Sequence, residues 1–186
     1  MNTLKLHTVA DGDELAWPRE DDQLSLATPA VAFFTDFEKI APLVIQTTTT
    51  ATEAKAMMLN MQLSLFTVVD EHQHFVGLIS ADDLLDHKMV QRISEGYKRT
   101  EILVSDLMHD KKNLQALAAD EAMAATIDDV IEVLTGSGQH YCLVLEPTTH
   151  RVRGVFSTAE ISRKLHMPID VRAPDSFYRA FVSLGH

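Results

Sequence analysis

The chain has 186 residues, of which 46% are hydrophobic and 23% are charged, and its formal net charge is −11 at pH 7. This composition is typical of a globular protein, and a chain of this length buries a core without disulfide or metal support. The lack of a long apolar run excludes a membrane span, and the acidic charge argues against nucleic acid as a partner. Because Cys142 is the only cysteine and residues 1–10 lack the pattern of a secretory signal, we expect a cytoplasmic protein.

Residues 1–29 predict an acidic N-terminal arm. Six carboxylates fall between Asp11 and Asp22 with few apolar residues among them, so we expect a solvated segment whose one anchor is Trp17. From Ala30 onward the sequence becomes apolar, and residues 42–45 predict a short strand.

A capping motif predicts the first helix. Thr50 and Glu53 have the spacing of a capping box, in which each side chain binds the backbone N–H of the other. The apolar residues that follow at spacings of three and four predict one face directed at the core. They are Ala54, Met57, Met58 and Met61. Residues 66–69 and 75–79 then predict two strands joined by a hairpin loop.

Ser80 follows the second of these strands and has the chemistry of a helix N-cap. Asp82 and Asp83 suit the first turn of the helix that Ser80 opens, because carboxylates stabilise the positive end of the helix dipole. Residues 91–101 are polar and predict a linker or a frayed extension of that helix.

The same order of elements then returns. Thr126 begins a second capping motif, a stripe of four apolar residues follows it, and residues 136–138 end the helix with two glycines. The stripe is formed by Ile127, Val130, Ile131 and Leu134. Residues 142–145 and 152–156 predict a second pair of strands, and residues 157–165 predict the closing helix.

These similarities amount to an internal repeat. The equivalent pairs are Thr50 with Thr126, Gly77 with Gly154, and Ser80 with Ser157. The first pair is offset by 76 residues and the other two by 77, so one inserted residue accounts for the difference. A fixed offset favours duplication over coincidence, and it predicts two units of the order strand, helix, strand, strand, helix.

Each repeat carries the pattern glycine, two apolar residues, serine and, three residues after the serine, a carboxylate. A carboxylate accepts hydrogen bonds from the two hydroxyls of a ribose, while a serine hydroxyl and free helix N–H groups donate to phosphate. The pattern therefore suits a nucleotide. The alternative is purely structural: Ser80 and Ser157 cap helices, while Asp83 and Glu160 complement the helix dipole.

Three segments also resemble a known family. Residues 64–70 (SLFTVVD), 75–84 (FVGLISADDL) and 152–161 (VRGVFSTAEI) are similar to the tandem cystathionine-β-synthase (CBS) domain pair. The resemblance covers about residues 30–168 and implies an α/β (α+β) fold of two βαββα units packed as a pseudo-twofold pair. It divides the chain into unit 1 at 30–96 and unit 2 at 97–168. Independently of the resemblance, residues 174–184 predict a short amphipathic C-terminal helix within 169–186, with Phe177, Tyr178, Phe181 and Val182 as its apolar residues.

The resemblance also implies an adenosine-containing ligand, namely AMP, ADP, ATP or S-adenosylmethionine, in the clefts between the units. It assigns ribose and phosphate contacts to Ser80 with Asp83 and to Ser157 with Glu160. The residues that it places against the base are Ile40, Pro42, Leu63, Ser64 and Leu65 in the first half and Gln139, His140 and Tyr141 in the second.

Glu160 replaces the family's usual aspartate, and its extra methylene moves the carboxylate by about 1.5 Å, one carbon–carbon bond. We therefore expect the primary site at Ser80 and Asp83. Lys88, Arg163 and Lys164 follow the two motifs and either face phosphates or complement helix dipoles.

No other chemistry is indicated by the sequence. His72 and His74 lie in a predicted loop without a metal-ligand pattern, and Cys142 lies in an apolar strand, where packing is its expected role. We expect no metal, no obligatory cofactor and no enzymatic activity. The leading hypothesis is a homodimeric regulatory protein that signals nucleotide occupancy to an unknown partner; the alternative is a structural or interaction dimer that binds no nucleotide.

Overall fold

The structure, a computed structural model, describes residues 24–171, except for the side chains of Asp86 and His87. The predicted anchor Trp17 and the C-terminal helix predicted at 174–184 lie outside the described residues. Two four-stranded sheets with helices packed against them form a mixed α/β fold, which confirms the fold class expected from the sequence. No helix in the described part of the chain is long and apolar enough to cross a membrane.

The first sheet is built around three strands from the first half of the chain. Strand β2 (Val44–Gln46) pairs in parallel with β3 (Leu65–Val69), and β3 pairs antiparallel with β4 (Phe75–Ser80). Helix α1 (Ala51–Met61) connects β2 to β3, and its N-cap Thr50 forms the predicted capping box with Glu53. A 3₁₀ turn at Ala81–Leu84 and helix α2 (Asp86–Ser94) follow β4.

The second sheet repeats this arrangement. Strand β6 (Ala116–Ala118) pairs in parallel with β7 (Tyr141–Glu146), which pairs antiparallel with β8 (Arg151–Ser157). Two helices, α4 (Ala119–Ala124) and α5 (Ile127–Ser137), lie between β6 and β7, and α6 (Thr158–Leu165) follows β8.

Each sheet receives its fourth strand from a short segment elsewhere in the chain. Strand β1 (Thr35–Asp36) adds to β8 of the second sheet, and β5 (His109–Asp110), after helix α3 (Val104–Leu107), adds to β4 of the first sheet. Residues predicted for each unit thus complete the sheet of the other. The unit boundary between residues 96 and 97 stays a prediction.

The repeated glycine of the sequence motif makes these additions possible. A Cβ on Gly154 would overlap the carbonyl oxygen of Thr35, and a Cβ on Gly77 would overlap the carbonyl oxygen of His109. Any larger residue would therefore push the added strand away. The glycine of the motif is a packing requirement of the third strand.

Two hydrophobic cores and a smaller third cluster hold the chain together. The four apolar residues predicted on α5 are all buried in the second core. On α1 the prediction is only half right: Ala54 and Met58 are buried, whereas Met57 and Met61 are 39% and 50% exposed. A third cluster, in which Leu78 of the first sheet meets buried residues of the second, joins the two sheets face to face.

Candidate functional site

The two repeated serines lie where β4 and β8 end. Ser80 caps the following turn in a capping box with Asp83, and the Oγ of Ser157 accepts the backbone N–H of Glu160 at 3.2 Å. Both serines therefore perform the capping role that the sequence allowed. Since the two strands belong to different sheets that pack face to face, their ends also meet in space.

A small pocket, here named the central pocket, opens between the two strand ends and encloses about 420 Å³ of space open to solvent. It is lined by Ser64, Leu65, Ser80, Ala81, Asp82, His140, Tyr141, Ser157, Thr158 and Ala159. One polar contact crosses it: the Nε2 of His140 lies 3.1 Å from an Oδ of Asp82. Both halves of the repeat therefore contribute polar side chains to one space.

A larger groove, here named the outer cleft, lies beside the central pocket. It is lined by Thr35, Phe37, Ile40, Ala41, Pro42, Leu43, Gln62, Leu63, Ser64, Leu65, Thr67, Val155, Ser157 and Glu160. The groove encloses about 740 Å³ of space, which includes open solvent. Ser64, Leu65 and Ser157 line both spaces, so the outer cleft continues into the central pocket.

The lining of the outer cleft suits a flat aromatic group with a polar attachment. Its lining includes the apolar side chains of Ile40, Pro42 and Leu63 together with the hydroxyl of Ser157 and the carboxylate of Glu160. Such a combination of apolar walls and a few directed polar groups is typical of ligand pockets.

Asp83 is not available to a ligand in this structure. Its side chain is only 2% exposed, and it accepts hydrogen bonds from the N–H and Oγ of Ser80 at 2.8 and 2.6 Å. Lys88 Nζ and His109 Nε2 approach its second oxygen to 2.5 and 2.9 Å. Burial opposes ionisation, but these hydrogen bonds outweigh it and hold the pKa of the Asp83 carboxyl well below its ordinary value.

Glu160 is more accessible. Its side chain is 30% exposed, and its carboxylate binds Arg163 at 2.7 Å on α6, with Lys164 at 3.4 Å. The hydrogen bond from Arg163 lowers the pKa of the Glu160 carboxyl, so the group is ionised at neutral pH. Each of its oxygens can still accept a second hydrogen bond from a ligand hydroxyl, because a carboxylate has about four acceptor positions.

The structure groups the predicted site residues across the two halves. Ile40, Pro42 and residues 63–65 share the outer cleft with Ser157 and Glu160, and Asp83 is absent from the residues that line it. The sequence pattern instead groups Ile40, Pro42 and residues 63–65 with Ser80 and Asp83 of the first half. The reason is the pairing of β1 with β8, which brings the chain leading into β2 beside the second sheet.

The remaining predicted residues divide between the two spaces and the structure around them. Ser80, His140 and Tyr141 line the central pocket. Gln139 lines neither space, and its N–H closes the end of α5 on the carbonyl of Leu134 at 3.1 Å. Lys88 binds Asp83.

Sequence reasoning missed several residues of the site. Thr35 and Phe37 line the outer cleft only because residues 35–36 pair with β8, and a two-residue strand leaves no periodic signal. Asp82 was identified as a helix-dipole partner but not as a pocket residue. His109 reaches Asp83 from 26 positions away, and its edge-on contact with Tyr141 at 5.8 Å joins the halves.

The chain is similar to known proteins both in sequence and in structure. Residues 36–89 match the sequence model of the CBS domain. No curated protein matches the sequence. Among solved structures, an uncharacterized conserved protein from Pyrococcus horikoshii superposes with a TM-score of 0.54 at 16% identity, over 75% of this chain and 93% of that one.

Two further solved structures carry adenosine compounds. CBSX2, a CBS-pair protein of Arabidopsis thaliana, was solved in complex with AMP; it superposes with a TM-score of 0.51 at 19% identity, covering 73% of this chain and 94% of that one. The CBS domain pair of protein MJ0100, in complex with 5′-methylthioadenosine and S-adenosyl-L-methionine, gives a TM-score of 0.50 at 18% identity, covering 73% and 98%. At these identities the likeness shows the fold alone.

Proposed function

Because this chain carries a CBS domain and has the fold of a CBS-domain pair, we propose that it is a regulatory protein that binds an adenosine-containing ligand in its outer cleft. Occupancy of the cleft would be passed to a partner protein by a shift between conformations. The proposal assigns the chain no chemical reaction of its own.

The observation that carries this proposal is the composition of the outer cleft. Apolar residues from the first half of the repeat face the hydroxyl of Ser157 and the carboxylate of Glu160 from the second half. An adenine ring packs on the apolar wall, and the two ribose hydroxyls donate to the Glu160 carboxylate. The AMP and S-adenosyl-L-methionine complexes of CBSX2 and MJ0100 support this choice of ligand class.

The cleft is also placed for signalling. Its walls come from both halves of the repeat, with Ile40 and Leu63 from the first half and Val155 and Glu160 from the second. A ligand that contacts both walls favours the conformation in which they lie closest. Ligand binding therefore changes the relative position of the two halves, and a partner protein would recognise that position.

Thermal unfolding of the full chain with and without adenosine compounds tests this proposal. A ligand selective for the folded state raises the free energy of unfolding by RT ln(1 + c/Kd), where c is the ligand concentration, so the unfolding temperature keeps rising with the logarithm of the ligand concentration above Kd. We expect such a concentration-dependent rise with at least one of AMP, ADP, ATP, S-adenosylmethionine or 5′-methylthioadenosine, and a smaller rise for Glu160→Gln. Flat curves for the whole panel at millimolar concentration would favour an interaction dimer that binds no nucleotide.

Glu95→Gln provides a matched control. Glu95 forms an exposed pair with Arg92 three residues away at 3.0 Å, as Glu160 does with Arg163, and it lines neither the outer cleft nor the central pocket. The control variant removes the same charge and the same type of ion pair, so it should keep the full ligand response.

We also propose that the chain forms a homodimer. Helix α1 leaves Met57 and Met61, which lie one turn apart on the same side of the helix, exposed at 39% and 50%. Neighbouring apolar side chains left exposed on a helix are typical of a surface that a partner covers.

A further inference from the structure

We propose that the outer cleft selects adenosine derivatives whose 5′ substituent is uncharged or cationic, and that it discriminates against a phosphate chain. The inference rests on the proposed function and names the chemical class of its ligand. It follows from the charges along the path from Ser157 into the central pocket. The 5′ substituent of an adenosine ligand bound in the outer cleft would extend along this path.

The first observation is the sign of the charges along this path. Neither lysine nor arginine is among the described residues that line the outer cleft and the central pocket. Two carboxylates line them, Glu160 in the cleft and Asp82 in the pocket, and His140 is the one basic side chain among the described lining residues. A phosphate chain would therefore lie beside negative charge with few cations to compensate it.

The second observation concerns the backbone N–H groups that bind phosphates at helix starts. At α6, the N–H of Thr158 donates to the carbonyl of His140 at 2.9 Å, and the N–H of Glu160 donates to Ser157 Oγ. At the turn after β4, the N–H of Ala81 donates to the carbonyl of Ser64 at 2.9 Å. Because these donors already have partners, fewer N–H groups remain at the two starts for a phosphate.

The third observation is that the nearest cations are engaged elsewhere. Arg163 binds both oxygens of Glu160, at 3.1 and 2.7 Å. Lys164 Nζ donates to the carbonyl of Ala32 at 2.8 Å and lies 5.9 Å from the centre of the Phe33 ring. A phosphate would therefore compete with the Glu160 carboxylate and the Ala32 carbonyl for these two cations.

Asp82 also gives the central pocket a preference for cationic substituents. It is 43% exposed and its carboxylate pairs with His140 at 3.1 Å. A sulfonium or ammonium group entering the central pocket can take the place of His140 beside Asp82, because a fixed cation always pairs with the carboxylate, whereas the contact with His140 is an ion pair only when the ring is protonated. Neutral substituents gain nothing from this carboxylate.

Isothermal titration of the full chain at pH 7.5 with four compounds tests the inference. We expect 5′-methylthioadenosine, which is neutral, and S-adenosylmethionine, which is a cation, to bind about tenfold or more tightly than ATP. AMP should fall between them and ATP. Asp82→Asn should weaken S-adenosylmethionine by roughly threefold to fivefold, as for a half-exposed ion pair, and leave 5′-methylthioadenosine unchanged.

Asp120→Asn serves as the charge control, because Asp120 is an exposed residue of α4 that lines neither space. If AMP or ATP binds as tightly as 5′-methylthioadenosine, the inference is overturned while the proposed function stands. If S-adenosylmethionine binds Asp82→Asn as tightly as the original chain, the role of Asp82 is overturned. If none of the four compounds binds, the proposed function itself fails.

Discussion

The Nε2 of His109 lies 2.9 Å from an oxygen of Asp83, although the two residues are 26 positions apart in the sequence. This contact joins strand β5 to the turn after β4 and satisfies a carboxylate that is almost completely buried. It gives Asp83 a structural role in the first sheet. The equivalent carboxylate of the repeat, Glu160, stays accessible at the outer cleft.

Replacing Asp83 should destabilise the fold. Asp83→Asn removes the charge that Lys88 pairs with and weakens the hydrogen bonds from Ser80, and a hydrogen bond to a charged group contributes about 1.5–3 kcal/mol. We expect a fall of about that size in the free energy of unfolding, measured with urea. Asp120→Asn on the exposed surface of α4 should change it by less than about 0.5 kcal/mol.

The same carboxyl predicts how stability depends on pH. Its pKa is lower in the folded state than the value near 3.9 expected for the unfolded chain. The stabilisation that ionised Asp83 gives the folded state is therefore present at pH values above the pKa of the unfolded chain. It is lost as the pH falls from that pKa towards the lower pKa of the folded state. Urea unfolding between pH 6 and pH 3 should show a steeper loss for the original chain than for Asp83→Asn; parallel curves would contradict this.

Ligand binding should depend more on Glu160 than on Asp83. From the sequence alone we expected the reverse, because Asp83 keeps the family's aspartate. The structure places only Glu160 on the outer cleft, so Glu160→Gln should lower the affinity for an adenosine ligand by about tenfold, as for one lost hydrogen bond to a charge. Titration of a folded Asp83→Asn variant should show a smaller loss; a larger one would restore Asp83 as the primary site.

The two glycine motifs should tolerate no side chain. Gly154→Ala would place a Cβ against the carbonyl of Thr35 and the ring of Phe34, and we expect it to cost about 1–3 kcal/mol as an overpacked site does. Gly136→Ala, in α5 with nothing near its Cβ, should instead stabilise the protein by about 0.5–1 kcal/mol. Thermal unfolding compares the two variants directly, and equal effects would contradict the packing role of Gly154.

The proposed dimer predicts an effect at Met61, which is 50% exposed on α1. Met61→Glu places a charge in the proposed interface and should convert the dimer to a monomer in sedimentation velocity. Val90→Glu, at a residue 56% exposed on α2, is the matched control and should leave the mass unchanged. A monomeric original chain would refute the proposal.

Much of the fold could be predicted from the sequence because its signals are local. The capping boxes at Thr50 and Thr126 and the stripe on α5 each involve residues within one or two helical turns, and the structure confirms them. The exposure of Met57 and Met61 could not be predicted, since periodicity does not show how wide a buried face is. The apolar pattern alone fits either a broad or a narrow face.

The site was less predictable because it depends on contacts between distant segments. Residues 35–36 reach β8 through a two-residue pairing. Because of that pairing, Ile40 shares the outer cleft with Ser157 and Glu160 of the second half. In the same way, nothing in the sequence near Asp83 indicates that His109 completes its hydrogen bonds. Residue types identified the candidates, and the tertiary fold determined their grouping.

The central claim is that an adenosine ligand occupies the outer cleft, and methyl NMR during a titration with 5′-methylthioadenosine tests it most directly. We predict saturable shifts for the methyl groups of Ile40, Leu63 and Val155, which line the cleft, with Ile131 in the second core unchanged. Shifts confined to residues away from the cleft, or no shifts at millimolar ligand, would contradict the claim.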